Sequence, residues 1–165
     1  PAPDAMVLDC GCGGGANIKT LLKLCPKGKV QGIDYSAVSV EKARKVNAGA
    51  IAAGRCTVQQ ASVAELPFEA EQFEVVTAFE TVYFWPELVQ NFREVYRVLK
   101  PGGVFFICNE ANGETAKDDK WTQIINGMTI YTDTALKAYL EQAGFCKIQS
   151  HKNKKGWLCV TARKR

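Results

Sequence analysis

Four glycines lie among residues 11 to 15, directly after a short apolar run. The segment reads Val7-Leu8-Asp9-Cys10-Gly11-Cys12-Gly13-Gly14-Gly15, and a helical pattern begins at Ala16. Glycine lets the backbone turn sharply and approach a ligand where a Cβ would collide with it. The turn also leads into a helix whose free N–H groups face that ligand. We therefore interpret this stretch as a loop that binds a nucleotide-type cofactor between a buried strand and a helix.

Strand and helix patterns alternate along the rest of the chain. Strands are predicted at 5–9, 29–34, 55–60, 73–79 and 104–108, with a closing hairpin formed by 145–151 and 157–162. Helices are predicted at 17–24 and at 86–99. Two further helices are predicted to begin after a cap at Ser36, with Val46 facing inward, and after a cap at Thr132 or Asp133. Alternation of this kind indicates a parallel sheet covered on both faces. The expected fold class is α/β: a doubly wound, mostly parallel, seven-stranded Rossmann-like sheet with an antiparallel edge hairpin at the C-terminus.

Residues 111–131 interrupt this alternation. The segment is polar and long for a connection in such a fold, so we expect an irregular binding lid. Trp121 and Tyr131 are candidate lid residues that face a substrate, whereas Asp118 and Asp119 are expected to face solvent.

The length and composition favour one domain spanning residues 1–165. A chain of 165 residues can bury one sizeable core, and no apolar run approaches the ~20 residues that a membrane span requires. The chain opens at Pro1, shortly before the first strand, which is compatible with trimming of a longer protein. The seven cysteines are an odd number without a CxxC pair, and they favour free thiols in the cytoplasm over a metal site or disulfides.

The net charge of +4 comes from the last part of the chain. Seven of the 21 Lys and Arg residues follow residue 146, where no acid occurs, so the remaining 14 face 17 acids. This distribution favours a solvated edge hairpin over a nucleic-acid surface. A small-molecule substrate is the expected partner, and a homodimer is compatible with the sequence.

Several polar residues follow predicted strands and are expected to meet at one edge of the sheet. Asp34 ends the second strand, Glu80 follows the fourth, and Glu110 follows the fifth. Ligands of doubly wound sheets bind at the carboxyl ends of strands where the strand order reverses. Asp34 lies where a carboxylate accepts hydrogen bonds from ribose hydroxyls, which by itself fits any adenosine cofactor, NAD included.

Five elements in order make the resemblance specific. They are Asp9-x-Gly11-x-Gly13-x-Gly15, Asp34, the segment Ala61-Ser62-Val63-Ala64-Glu65-Leu66-Pro67-Phe68, Phe73-Glu74-Val75-Val76, and Arg97-Val98-Leu99-Lys100-Pro101-Gly102-Gly103. In these elements the chain resembles class I S-adenosylmethionine-dependent methyltransferases, in the branch of the ubiquinone/menaquinone-biosynthesis enzymes that act on small molecules. Two departures stand out: Ser62 replaces an acid usual in the family, and the helices that usually precede the first strand and form a lid are absent from this sequence.

The resemblance implies S-adenosylmethionine as cofactor and methyl transfer to an O, N or C nucleophile. The implied cofactor-binding residues are Asp9, Gly11, Cys12, Gly13, Gly15, Asp34, Tyr35, Ser62, Val63 and Phe79. Glu80 and Tyr83 are the candidate catalytic residues, and Trp85, Glu110, Trp121 and Tyr131 are the candidate substrate-pocket residues. No metal ligands are expected, because Cys10 and Cys12 on a glycine turn point apart. His151, the single histidine, is expected at the surface.

Two alternatives remain open on the sequence alone. One is a non-catalytic or truncated module that binds S-adenosylmethionine. The other is a nicotinamide-dependent oxidoreductase, because Gly11, Gly13 and Ala16 also satisfy a GxGxxA dinucleotide pattern.

Overall fold

The computed structural model describes the backbone of all 165 residues and every side chain except those of Ala116, Lys117 and Asp119. The strands are β1 (Met6–Cys10), β2 (Lys29–Asp34), β3 (Cys56–Gln60), β4 (Phe73–Phe79), β5 (Leu99–Asn109), β6 (Cys146–Lys152) and β7 (Leu158–Arg163). The helices are α1 (Ala16–Leu24), α2 (Ala37–Val46), α3 (Ala48–Ala52), α4 (Leu88–Val98), α5 (Ala116–Ile124) and α6 (Asp133–Gln142). A short 3₁₀ turn covers Val82–Phe84.

The seven strands form one sheet in the order β3-β2-β1-β4-β5-β7-β6. Strands β1 to β5 pair in parallel, and β7 runs antiparallel to both β5 and β6. This confirms the predicted α/β class and the closing hairpin, with β6 as the edge strand. The strand order reverses at β1, which lies between β2 and β4, so a crevice is expected beyond the carboxyl ends of β1 and β4.

The sheet is covered on both faces by separate apolar clusters. Successive residues of a strand point to opposite faces, so Val7 and Leu8 of β1 belong to different clusters. The cluster that contains Val7 includes Ile18, Leu21 and Leu22 of α1 and Val40 and Ala43 of α2. The cluster that contains Leu8 includes Phe92 of α4, Phe105 of β5, and Leu136 and Leu140 of α6. The glycine loop is thus held on a sheet that is buried from both sides.

Two of the predicted helix caps are present. Ser36 Oγ accepts a hydrogen bond from Ser39 N at 3.3 Å, and Thr132 Oγ1 accepts one from Ala135 N at 3.2 Å. Such caps satisfy backbone N–H groups that have no partner within the helix. They fix the starts of α2 and α6.

Three local expectations are wrong. Residues 111–131 are not wholly irregular, because α5 forms within them. The helix predicted from 86 begins at Leu88, since Glu87 has a left-handed backbone with φ of 43° that ends the preceding turn. Val46, expected to face inward, is 36% exposed at the end of α2.

Over the part of the chain that the structure describes, none of the helices combines the length and the apolar character that crossing a membrane requires.

Candidate functional site

The glycine loop turns back over the end of β2. Gly11 N and Cys12 N both donate to Ile33 O, at 2.8 and 2.9 Å. Gly11 has a φ of +73°, and a Cβ at this position would lie 2.1 Å from Thr81 Oγ1. Gly15, with a φ of +81°, would place a Cβ 2.5 Å from Asn47 Nδ2. Glycine is therefore required at both positions by backbone conformation and by space.

Asp34 ties the loop to the start of α2. Its Oδ2 accepts from Gly13 N at 2.9 Å, and its Oδ1 accepts from Ser36 N at 2.9 Å. Each carboxylate oxygen has a second lone pair, so both oxygens still accept a hydrogen bond from a ligand hydroxyl. The carboxylate is thus fixed in orientation before a ligand binds.

Asp9 lies beneath the loop and is 1% exposed. Its Oδ1 accepts from Thr77 Oγ1 of β4 at 2.7 Å. Burial raises the pKa of Asp9 to about 7, the Thr77 hydrogen bond opposes this, and the Asp34 charge adds to it. Asp9 therefore titrates close to neutral pH and links the two central strands.

Two cavities meet around Asp34. The loop cavity, of about 500 Å³, is lined by the glycine loop, the start of α1, Asp34, Tyr35, Ser36, Ser39 and the segment 79–81. The side cavity, of about 430 Å³, is lined by Ile33, Ala61, Ser62, Val63, Trp85, Pro86 and Gly127. Gly11, Asp34, Tyr35, Thr81 and Phe84 line both. The two cavities thus form a continuous cleft at the point where the strand order reverses.

A third cavity, which we call the aromatic pocket, adjoins this cleft. It has a volume of about 260 Å³ and is lined by Glu80, Tyr83, Phe84, Glu110, Ala111, Trp121, Ile125 and Met128. Glu80 and Phe84 also line the loop cavity, so a ligand in the aromatic pocket would lie next to one in the cleft.

Glu80 is held in an unusual conformation where β4 ends. Its backbone is left-handed with φ of 56°, which is rare for a residue with a Cβ. Its N–H donates to Cys108 O at 2.9 Å, and its carboxylate accepts from Glu110 N and from the Tyr83 hydroxyl. Burial raises the pKa of Glu80; these two hydrogen bonds lower it, and the Glu110 charge raises it. The carboxylate is thereby fixed against the aromatic pocket.

Tyr83 positions Glu80. Its side chain is 2% exposed, and its hydroxyl accepts from Ala111 N at 2.9 Å. Burial and the neighbouring Glu80 charge raise the pKa of Tyr83 well above its ordinary value. The phenol therefore stays protonated and acts as a hydrogen-bond donor.

The structure brings most of the predicted site residues together. Gly11, Cys12, Gly13, Asp34, Tyr35 and Phe79 line the loop cavity, and Ser62 and Val63 line the side cavity. Glu110 and Trp121 line the aromatic pocket with Glu80 and Tyr83. Asp9 and Gly15 line none of these cavities and support the loop from below.

Two predicted substrate residues lie elsewhere. Trp85 is 7% exposed; its ring stacks on Phe105 with centroids 6.2 Å apart, and the residue also lines the side cavity. Tyr131 lines a separate cavity with Tyr139 and residues 87–90.

The interpretation of Asp118 as a solvent-facing residue is wrong. Asp118 is 7% exposed, and its Oδ2 accepts from Asn112 N at 3.2 Å and Gly113 N at 2.8 Å. It anchors α5 to the end of β5, because both donors lie just beyond that strand. The other member of the predicted pair, Asp119, lies outside the described side chains.

Two contributors were not among the predicted site residues. Thr81 fills the space above Gly11, and Asn47 Nδ2 donates to Gly15 O at 3.0 Å and Ala43 O at 2.9 Å. Glycine at position 11 indicates that another group lies close to the backbone there, but the sequence does not identify that group as Thr81. No pattern in the sequence marked Asn47, which is buried at the end of α2.

Among the described residues, no group of His, Cys, Asp and Glu side chains has an arrangement that would hold a metal ion. Burial, followed by the Asp9 charge, raises the pKa of the Cys12 thiol to about 12, which keeps it neutral beside the loop.

Several known proteins are similar to this chain in sequence. A family model described as a methyltransferase domain matches residues 8–107. Cycloartenol-C-24-methyltransferase 1 of Oryza sativa subsp. japonica is 31% identical over 105 residues, which are 64% of this chain and 30% of that protein. Demethylmenaquinone methyltransferase of Symbiobacterium thermophilum is 34% identical over 111 residues, which are 67% of this chain and 44% of that protein. The chain thus spans less than half the length of either relative.

Solved structures share the fold. The methyltransferase in complex with the Haloferax volcanii Trm112 methyltransferase activator superposes with a TM-score of 0.86 at 20% identity. The match covers 96% of this chain and 82% of that one. The fold of this chain is therefore similar to that of a solved structure over nearly its whole length.

Proposed function

Because the chain belongs to the methyltransferase-domain family, we propose that it transfers a methyl group from S-adenosylmethionine to a small-molecule nucleophile. S-adenosylmethionine is the methyl donor of this family.

The position of Asp34 carries the proposal. Its carboxylate is oriented by Gly13 N and Ser36 N and lies where the loop cavity and the side cavity meet. An adenosine ligand has its ribose between two different ends, so a carboxylate at such a junction fits the sugar hydroxyls. The residues present therefore fit a nucleoside with a polar chain on one side and a base on the other.

The ends of the cleft differ as the two ends of this cofactor do. The loop cavity includes the start of α1, where the helix dipole and free N–H groups favour a carboxylate. The side cavity is bordered by Ala61, Ser62, Val63 and Trp85, which offer apolar surface and a hydroxyl to a purine. We assign the amino-acid end to the first and the base to the second.

S-adenosylmethionine, when bound, supplies a methyl group on a cationic sulfur. Phe79, Glu80 and Phe84 line the loop cavity, and Glu80 and Phe84 also line the aromatic pocket. We propose that the pocket orients the acceptor and that Phe84 and Trp121 limit the access of water. Holding an acceptor in line with the methyl carbon supplies much of the acceleration of such a displacement.

Glu80 is the candidate base and Tyr83 is the residue that positions it. Burial raises the pKa of Glu80, which makes its carboxylate a stronger proton acceptor than that of an ordinary glutamate. The protonated phenol of Tyr83 holds the carboxylate in place by a hydrogen bond at 3.3 Å.

The site of action that we propose is the cytoplasm, which is supported by the thiol form of all seven cysteines.

Replacement of Asp34 tests the cofactor site. We expect Asp34→Ala to weaken binding of S-adenosylmethionine and of its demethylated product at least about tenfold, which corresponds to about 1.4 kcal/mol. Titration calorimetry measures the change. Asp4→Ala is the matched control, because Asp4 is an exposed carboxylate outside the cleft.

Three results would contradict the proposal. Unchanged affinity in Asp34→Ala would exclude the ribose contact, and binding of NADH with no binding of S-adenosylmethionine would favour an oxidoreductase. Cofactor binding without methyl transfer, both in this chain and in a longer form of the protein, would instead indicate a non-catalytic binding module.

A further inference from the structure

The aromatic pocket is the part of the site to which the cofactor assignment gives no role. It lies next to the loop cavity and shares Glu80 and Phe84 with it. Its volume of about 260 Å³ is enough for a small organic molecule and too small for a nucleotide. Its lining therefore carries information about the methyl acceptor.

The lining combines aromatic rings with negative charge. Tyr83, Phe84 and Trp121 contribute rings, and Glu80 and Glu110 contribute carboxylates. Of the side chains that the structure describes, those lining the pocket include neither Lys, Arg nor His. Ring faces and carboxylates both attract cations, and both repel anions.

Hydrogen bonds fix the Glu80 carboxylate and connect it to Glu110. The Glu110 N–H donates to the Glu80 carboxylate, so a hydrogen bond joins two residues that both line the pocket. Tyr83 OH donates to the same carboxylate, and Ala111 N in turn donates to Tyr83. Burial raises the pKa of Glu80, and both donors oppose this by favouring the ionised form of its carboxylate. The left-handed φ of Glu80, 56°, is the strained conformation that this arrangement maintains.

We propose that the aromatic pocket binds the acceptor through a protonated amine carried on an apolar body, with the ammonium group between Glu80 and Glu110. The apolar body packs on Phe84, Trp121 and Met128, which also line the pocket. This proposal rests on the proposed function, because it takes the adjoining cleft as the donor site. It names the substrate class that the cofactor assignment leaves open.

Charge decides between ligands of the same shape. A carboxylate ligand would bring a third negative charge beside Glu80 and Glu110 and would lose its hydration without a partner. A neutral alcohol would gain the apolar contacts but no ion pair. An ammonium ligand gains the contacts, the ion pair and the ring faces together.

Three ligands with one phenyl body test the proposal. We expect phenethylamine to bind at least about tenfold more tightly than 2-phenylethanol, and phenylacetate to bind more weakly than either, in the presence of saturating demethylated cofactor. Calorimetry and ligand-detected NMR at pH 7.5 measure the three affinities. We also expect the preference for the amine to weaken at high salt, since it depends on charge.

The substitution Glu110→Gln tests whether the preference for the amine over the alcohol depends on the aromatic pocket. We expect it to reduce the amine-to-alcohol ratio at least about threefold while the demethylated cofactor still binds with wild-type affinity. Glu141→Gln removes one exposed carboxylate at the end of α6 and serves as the charge-matched control. Glu80→Gln should also lower the ratio, and a normal circular dichroism spectrum would show that it folds.

The outcomes separate this proposal from the one on which it rests. Equal binding of the three ligands, tighter binding of phenylacetate, or no binding of any up to 10 mM (about −2.7 kcal/mol) would overturn the amine assignment, provided that the cofactor product binds. Failure of the cofactor product to bind would overturn the proposed function itself.

Discussion

At the scale of single residues, Gly11 combines two requirements that can be separated by experiment. Gly11 and Gly54 both have positive φ, +73° and +68°. A Cβ on Gly54 would have nothing within 4 Å, whereas one on Gly11 would meet Thr81. Alanine in left-handed backbone costs about 1–2 kcal/mol. We expect Gly54→Ala to lower the free energy of unfolding by that amount, and Gly11→Ala to lower it by at least about 1 kcal/mol more.

Urea unfolding at one pH measures both variants. Equal losses would mean that Thr81 moves aside without cost, and would leave backbone conformation as the only reason for glycine at position 11. Cofactor affinity should fall for Gly11→Ala and not for Gly54→Ala, since Gly11 lines the cleft and Gly54 does not.

Asp9 makes the stability of the protein depend on pH. Its pKa rises from 3.8 to about 7 on folding, so the folded state holds a proton that the unfolded state has lost between these values. Stability due to Asp9 is therefore present below about pH 4 and is lost as the pH rises towards 7. At 1.36 kcal/mol for each pH unit, the loss reaches about 4 kcal/mol.

Asp9→Asn should remove most of this dependence. Urea unfolding of both proteins at pH 4.5, 6 and 7.5 measures how the free energy of unfolding changes with pH. At full effect the slope is about 1.4 kcal/mol for each pH unit. Parallel slopes for the two proteins would mean that Asp9 has an ordinary pKa in the folded state.

At the scale of elements, Arg97 explains why two separated motifs occur together. Its guanidinium donates to Leu66 O at 2.9 Å, to Phe68 O at 2.8 Å, and to Glu94 on its own helix. The start of the segment 97–103 therefore holds the end of the segment 61–68. Glu94 in turn accepts from Leu66 N at 3.0 Å.

Arg97→Lys should destabilise the protein by about 1–2 kcal/mol, because lysine lacks the planar fork that reaches two carbonyls at once. Arg93→Lys is the matched control, since Arg93 is an exposed arginine on α4 whose contact is one hydrogen bond of 3.5 Å to Gln142 O. Thermal unfolding compares the two. Similar losses would show that the contacts to residues 66–68 do not contribute.

The sequence predicts the elements whose stability comes from apolar periodicity. Strands β2 and β4 have the predicted bounds, because each is a run of residues that the sheet buries. Helix α5 was not predicted, because Asp118 is the buried residue among its described side chains and its role is to bond two backbone N–H groups. A helix that a carboxylate attaches to the fold lacks the stripe of apolar residues by which a helix is predicted from sequence.

The site was predictable to a similar degree. Backbone requirements and carboxylates at strand ends point to Gly11 and Asp34, which lie in the cleft. The positions of the aromatic rings were harder to predict from the sequence, because Trp85 and Trp121 are the same type of residue. Packing on Phe105 decides that Trp85 enters the core, and that contact depends on the complete fold.

At the scale of the whole molecule, the strand order predicts a gradient of local stability. The central strands β1 and β4 have neighbours on both sides and carry fully buried residues such as Val7, Leu8 and Val76. Strands β3 and β6 are the edges of the sheet. Amide hydrogen exchange should therefore be slowest in β1, β4 and β5 and at least about tenfold faster in β6. Equal protection of β6 and β4 would show that the sheet opens only as one unit.

The place of β7 between β5 and β6 has a consequence for synthesis on the ribosome. Strand β6 precedes β7 in the chain, yet β7 is the strand with which β6 pairs. Nascent β6 therefore has no sheet to join until the segment after it has emerged, whereas β1, β2 and β3 pair in the order in which they are made. During that interval its unpaired edge is open to other nascent chains. Five of the six residues from Lys147 to Lys152 are polar or charged, Ile148 being the exception, which suits a strand that is exposed to water before its partner is synthesised.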